Sequence, residues 1–184
     1  RRASSAGWGS ASTGSGAASW DLRVLNNFEG ANSLYAVEGT AFDTGVVNHT
    51  RNLRAASGWS GFVGYSSPRA AAPFAILDTL LASAQFVVAN GNSTLDLPGL
   101  DVYWSPRNNS SSGEVTQGQI DSTLYSNGSS DGRAPGIYVL GNENTDTDEY
   151  DQHVLVHEFH HFLEDTISRT ESPGGPHSQG DRLD

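Results

Sequence analysis

Five consecutive residues, His157-Glu158-Phe159-His160-His161, hold the side chains in this sequence best suited to chemistry. They match H-E-x-x-H. On a helix, two His at i and i+4 lie one turn apart on one face. Their ring nitrogens can then converge on one Zn²⁺ at about 2.0–2.1 Å. Glu158 follows the first His and sits ~100° round the helix. From there it does not join the His pair as a ligand. It can instead take a proton from a metal-activated water and pass it to a leaving amine. The pattern predicts metal ligands at His157 and His161 and a general base at Glu158. The bland alternative is a His-rich solvated face that binds metal only adventitiously.

A catalytic zinc normally takes three protein ligands and a water, and two are supplied here. His153 and His160 lie to one side of the pair and read as neighbours. His49 reads as a surface strand residue. His177, in a Gly/Pro loop 16 residues beyond His161, is a candidate third ligand at an unusual spacing. Glu164 lies one turn past His160 and is expected to pair with it.

The motif needs a helix, and the sequence supplies one over about 147–168. Asp146 is placed to cap it, with Glu149 completing a capping box. Leu155, Val156, Phe159, Phe162, Leu163 and Ile167 fall on the arc opposite the two His and should dock on a core. No Lys or Arg occurs between Ala134 and Ser168, so the opposite arc is not an ordinary basic surface. Short strands are expected at Val102-Tyr103-Trp104, Thr123-Leu124-Tyr125 and Ile137-Tyr138-Val139-Leu140, divided by Asn, Ser and Gly-rich loops. An earlier helix is marked by Phe74, Leu77, Leu81 and Val88, with Ile76, Leu80 and Val87 beside them, Pro68 and Pro73 at its start and Asn90-Gly91 at its end. Residues 1–19 form a Gly/Ser/Ala-rich flexible start. Residues 20–66 form a small β-rich region, with runs at Leu34–Val37 and Val46-Val47. Residues 67–184 form the unit that bears the motif. The fold class expected is α+β, a small twisted sheet packed against the long motif helix.

Composition narrows the function. The 184 residues carry 10 basic and 21 acidic side chains, net −11. Such a surface repels nucleic acid and anionic lipid. No apolar run is expected to reach the ~20 residues of a membrane span. The chain has no Cys, so no disulfide staples it and thiols give no redox compartment. It has no Met and begins Arg1-Arg2, which predicts a processed product or excised fragment.

On Gly136–Leu140, the acidic loop, and the run from His157 to Asp165, the sequence resembles the gluzincin (thermolysin-like) zinc metallopeptidases. The likeness extends to the Gly-Pro-His-Ser and Gly-Asp-Arg-Leu-Asp stretches within Gly175–Asp184, as in bacterial secreted or lipoprotein-type homologues. A metzincin would need a third His six residues after His161, where Ile167 stands. The resemblance implies a zincin-like subdomain and Zn²⁺-dependent hydrolysis of a peptide or protein substrate, with a secreted or cell-surface location in a bacterium. It places the third ligand, a Glu, beyond Asp184, so that this chain alone would be a poor peptidase. It also implies that the strand near Thr123–Ser126, with Leu124 and Tyr125, is the cleft edge that pairs with an extended substrate.

Two further features are weaker. Oxygen-bearing side chains alternate along Asn142–Asp148, which invites Ca²⁺, but the Gly of an EF-hand loop is missing. Sequons occur at Asn48, Asn92, Asn108, Asn109 and Asn127 and matter only in a eukaryotic source. The competing functions are a non-catalytic zincin-like module and an acidic extracellular binding module with an incidental His cluster.

Overall fold

The computed structural model describes residues 18–168, apart from 44, 47, 51, 92 and 130. His177 and the Gly175–Asp184 stretch lie outside the described residues. The architecture is α+β. Among the described residues seven strands occur: β1 (Leu22–Asn26), β2 (Ser33–Leu34), β3 (Leu100–Trp104), β4 (Leu124–Ser126), β5 (Gly136–Val139), β6 (Gly141–Asn142) and β7 (Asp146–Thr147). Two helices accompany them, α1 (Ala72–Asn90) and α2 (Gln152–Ile167).

The first five strands form one mixed sheet in the order β2-β1-β3-β5-β4. β1, β3 and β5 run parallel, while β2 and β4 pair antiparallel at the two edges. Successive side chains on a strand point to opposite faces, and the core divides accordingly. Val102, Trp104, Ile137, Val139 and Tyr125 join Leu22 and Val24 on one face, where both helices pack. Tyr103, Tyr138 and Leu124 lie on the other, with Ile120 and Leu140. Tyr103 and Tyr138 stack there at 4.6 Å.

β1 carries no clean alternation in sequence, since Leu22, Val24 and Leu25 are all buried. A strand with parallel neighbours is covered on both faces and reads as a nearly continuous apolar run. The expected strand at Leu34–Val37 contracts to Ser33–Leu34. Val46 is fully exposed in a turn, and Val47 lies outside the described residues. His49 is exposed outside any strand, its ring edge against Phe42.

α1 begins with Pro73 in its first turn and ends at Gly91, whose N–H bonds to the Val87 carbonyl. Its buried ridge is Ala72, Ile76, Leu80 and Ala84, an i+4 row beside the expected Phe74, Leu77, Leu81 and Val88. Leu77, Leu81 and Val88 only flank the core. The reason is that α1 packs on both the sheet and α2, so a wider arc is apolar than one partner needs. Among the described residues α1 is the one helix that is, by length and composition alone, apolar enough to cross a membrane. Its Ile76–Leu80–Ala84 ridge is wholly buried within the fold.

α2 starts later than expected. Asp146-Thr147 is strand β7, paired with β6 as a hairpin. The cap is Asp151, whose carboxylate accepts from the N–H groups of His153 and Val154 at 2.9 and 3.3 Å. Glu149 is not part of a capping box. It is buried and ion-paired with Arg69, which also donates to the Gly141 carbonyl.

Candidate metal and catalytic site

α2 docks through Leu155, Phe159, Phe162 and Leu163, all buried as expected. Val156 and Ile167 are exposed instead and line an apolar groove against Phe86 and Val87 of α1. The place next to the buried row is taken by Glu158, which is 5 % exposed.

His157 and His161 do converge. Their Nε2 atoms are 3.2 Å apart and their rings stand at 89°. That separation is the distance of a ring-to-ring hydrogen bond, and it is also close to the about 3.3 Å between two ligands at about 2.05 Å on a tetrahedral centre. The Nδ1 atom of His161 lies 3.4 Å from the Glu164 carboxylate. A proton held there leaves Nε2 as the lone-pair donor. The other Glu164 oxygen is 3.5 Å from His160 Nε2, so the expected pair forms and a second one with it. His153 and His160 are exposed.

Glu158 turns inward, toward the sheet. Its Oε2 accepts the backbone N–H of Tyr125 at 2.7 Å. Burial pushes its carboxyl up to about 7, with the Tyr125 bond opposing and the Asp148 charge adding to the rise. A carboxyl in that range is poised for proton transfer near neutrality.

β4 is an edge strand. The Tyr125 N–H is turned away from β5, toward Glu158, and its carbonyl shares that direction in an antiparallel pair. The side chains of Leu124 and Tyr125 are buried on opposite faces of the sheet. They cannot line a cleft, so any role in holding a substrate falls to the β4 main chain.

Three residues around this edge escaped the sequence reading. Thr123 donates its hydroxyl to Asp148 at 2.5 Å and accepts the Leu140 N–H at 2.9 Å. Asp148 is buried, which raises its pKa. Asp165 accepts the Tyr125 hydroxyl at 2.8 Å. Only Asp165 left a signal, because positions 158, 162 and 165 share one helical stripe.

Among the described residues no group of three or more His, Asp or Glu side chains gathers as a metal site. In the acidic loop, Asn142 and Asp146 accept from the N–H groups of Asn144 and Thr147, forming the β6–β7 turn. Asn108 is wholly buried, its amide nitrogen donating to the Tyr103 and Val139 carbonyls. That burial closes one sequon to a glycan. Comparison with known protein families, curated proteins and solved structures found no match for this chain.

Proposed function

We propose that His157, His161 and Glu158 form the two-histidine and general-base part of a zinc peptidase site of the gluzincin kind. The 3.2 Å approach of the two Nε2 atoms carries this reading. Bound zinc would supply a Lewis acid and a water of lowered pKa. The chain's own residues do the rest. Glu164 orients His161 through Nδ1. Tyr125 holds Glu158 Oε2, so Oε1 carries the proton from water to the leaving nitrogen. Glu158 takes the outward N–H of Tyr125, so on β4 the outward Tyr125 carbonyl is the main-chain group left for an extended peptide. The third protein ligand comes from outside the described residues.

A second reading has one observation in its favour. Glu158 is already satisfied by Tyr125, as a purely structural buried carboxyl would be. In that case the chain keeps a zincin-like shape and binds a partner without catalysis.

Calorimetry with Zn²⁺ on the wild type and on His157→Ala/His161→Ala tests the ligand assignment. The double variant should bind at least about a hundredfold more weakly, beyond the about 10–100-fold that outer partners contribute. Equal affinity would remove the motif from the site. Glu158→Gln then separates the two readings. Under the peptidase reading it keeps its zinc and loses cleavage of a fluorogenic peptide. If it cleaves at the wild-type rate, Glu158 is not the base.

A further inference from the structure

We propose that Asp165 is a positioning residue, which fixes the substrate-pairing edge of the sheet against the motif helix through Tyr125. The proposal rests on the peptidase reading above for what the edge does. The tie itself rests on geometry alone.

β4 has only three residues and one strand neighbour, β5. Nothing in the sheet holds its outer side. Tyr125 supplies that hold by meeting α2 at three successive points. Its N–H reaches Glu158 at 2.7 Å. Its ring stands edge-on to Phe162, centroids 6.1 Å apart. Its hydroxyl reaches Asp165 at 2.8 Å. Positions 158, 162 and 165 follow i, i+4, i+7 and form one stripe along two turns. The side chain therefore lies along the helix like a splint, anchored at both ends.

An acid at position 165 also has no other explanation in the helix. It sits in the last turn of α2, where the helix dipole disfavours negative charge. Its carboxylate accepts the Tyr125 hydroxyl at 2.8 Å. Burial, and then the Asp165 carboxylate, push the Tyr125 phenol well above its ordinary range, which keeps the hydroxyl a donor at all working pH. Without Asp165 the ring is held only by packing, and the far anchor that keeps Tyr125 N–H on Glu158 is lost. The edge then drifts relative to His157 and His161.

The test uses the whole chain and reads backbone amide exchange residue by residue. In the wild type the Tyr125 amide should be protected, although it faces away from β5. In Asp165→Ala and in Tyr125→Phe it should exchange about tenfold faster, the factor one hydrogen bond is worth, with β3 and α2 amides unchanged. Asp165→Asn should keep the protection, since its carbonyl oxygen still accepts. The Tyr125→Phe/Asp165→Ala double variant should be no faster than either single one. An Asp165→Ala protein with wild-type protection at Tyr125, or additive losses in the double variant, overturns the tie. With peptide as probe, Asp165→Ala should lose about tenfold in kcat/KM, mostly through KM, at unchanged zinc content. Cleavage by Asp165→Ala at the wild-type kcat/KM overturns the positioning role alone. A wild type that binds no Zn²⁺ yet shows the full exchange pattern supports the tie and counts against the peptidase reading.

Discussion

Glu158 combines two demands that conflict. The base proposed for this position must ionise, and a buried carboxyl resists ionisation. The structure sets the balance near neutrality by burying the group and giving one oxygen a single N–H donor. The consequence for stability has a definite sign. In the unfolded chain a Glu titrates near about 4.3, and in the fold near about 7. Between those values the folded state binds more protons, so stability falls as pH rises. The stabilising contribution is complete below about pH 4 and lost above about pH 7–8. For the metal-free protein, held in chelator, urea unfolding should show wild type losing on the order of 3 kcal/mol more than Glu158→Gln between pH 4.5 and 8. Parallel profiles would mean the carboxyl is solvated.

Glu164 makes a second residue-scale case. It reaches the Nδ1 atom of His161 and the Nε2 atom of His160. In the proposed zinc site only the first contact would bear on the metal, because it selects which His161 nitrogen donates. Glu164→Ala should weaken zinc binding by about tenfold, while His160→Ala leaves it within a factor of two or so. Competition with a chromogenic chelator measures both.

At the scale of the element, α2 shows how a cap is chosen. In sequence the cap reads as Asp146, and Asp148 and Asp151, residues of the same capping type, follow within five positions. The β6–β7 hairpin uses the first, and Thr123 binds the second. Asp151 remains, and it takes two backbone N–H groups. Asp151→Ala should cost about 1 kcal/mol in thermal or urea unfolding. Asp146→Ala should fall within about 0.5 kcal/mol of wild type. The reverse order would return the helix start to 147. The helix, its two-faced character and the i, i+4 His pair were legible beforehand, because all are set by spacing of four residues or fewer. Val156 and Ile167 were assigned to the buried arc and are not there, since the width of that arc depends on where α1 lies.

Across the whole molecule the parts are joined by one buried polar centre. Arg69, just ahead of α1, bonds Glu149 ahead of α2 and the Gly141 carbonyl of β6. Its guanidinium also lies over the Tyr65 and Trp104 rings, at 4.5 and 5.5 Å. Both partners are buried, with Glu149 fully so. Removing one charge leaves the other unpaired in the interior. Glu149→Ala should therefore cost about 3–5 kcal/mol and loosen both helix starts together. A loss under about 1 kcal/mol in chemical unfolding would show that water reaches Arg69.

The sequence by itself determined a helix through the motif, its paired His, the α+β class, and three strands to within a residue or two, found at Leu100–Trp104, Leu124–Ser126 and Gly136–Val139. Each follows from a repeat of two or about 3.6 residues, which the backbone imposes locally. Tertiary structure decided the rest. It placed β1, unremarked in the sequence, beside β3. It made Leu124–Ser126 an edge strand and turned Leu124 and Tyr125 inward. It directed Glu158 to a peptide N–H 33 residues away and Asp165 to a hydroxyl 40 residues away. Contacts at that separation depend on how the sheet and helices pack, and a period along the chain carries no information about which buried donor a carboxylate will meet.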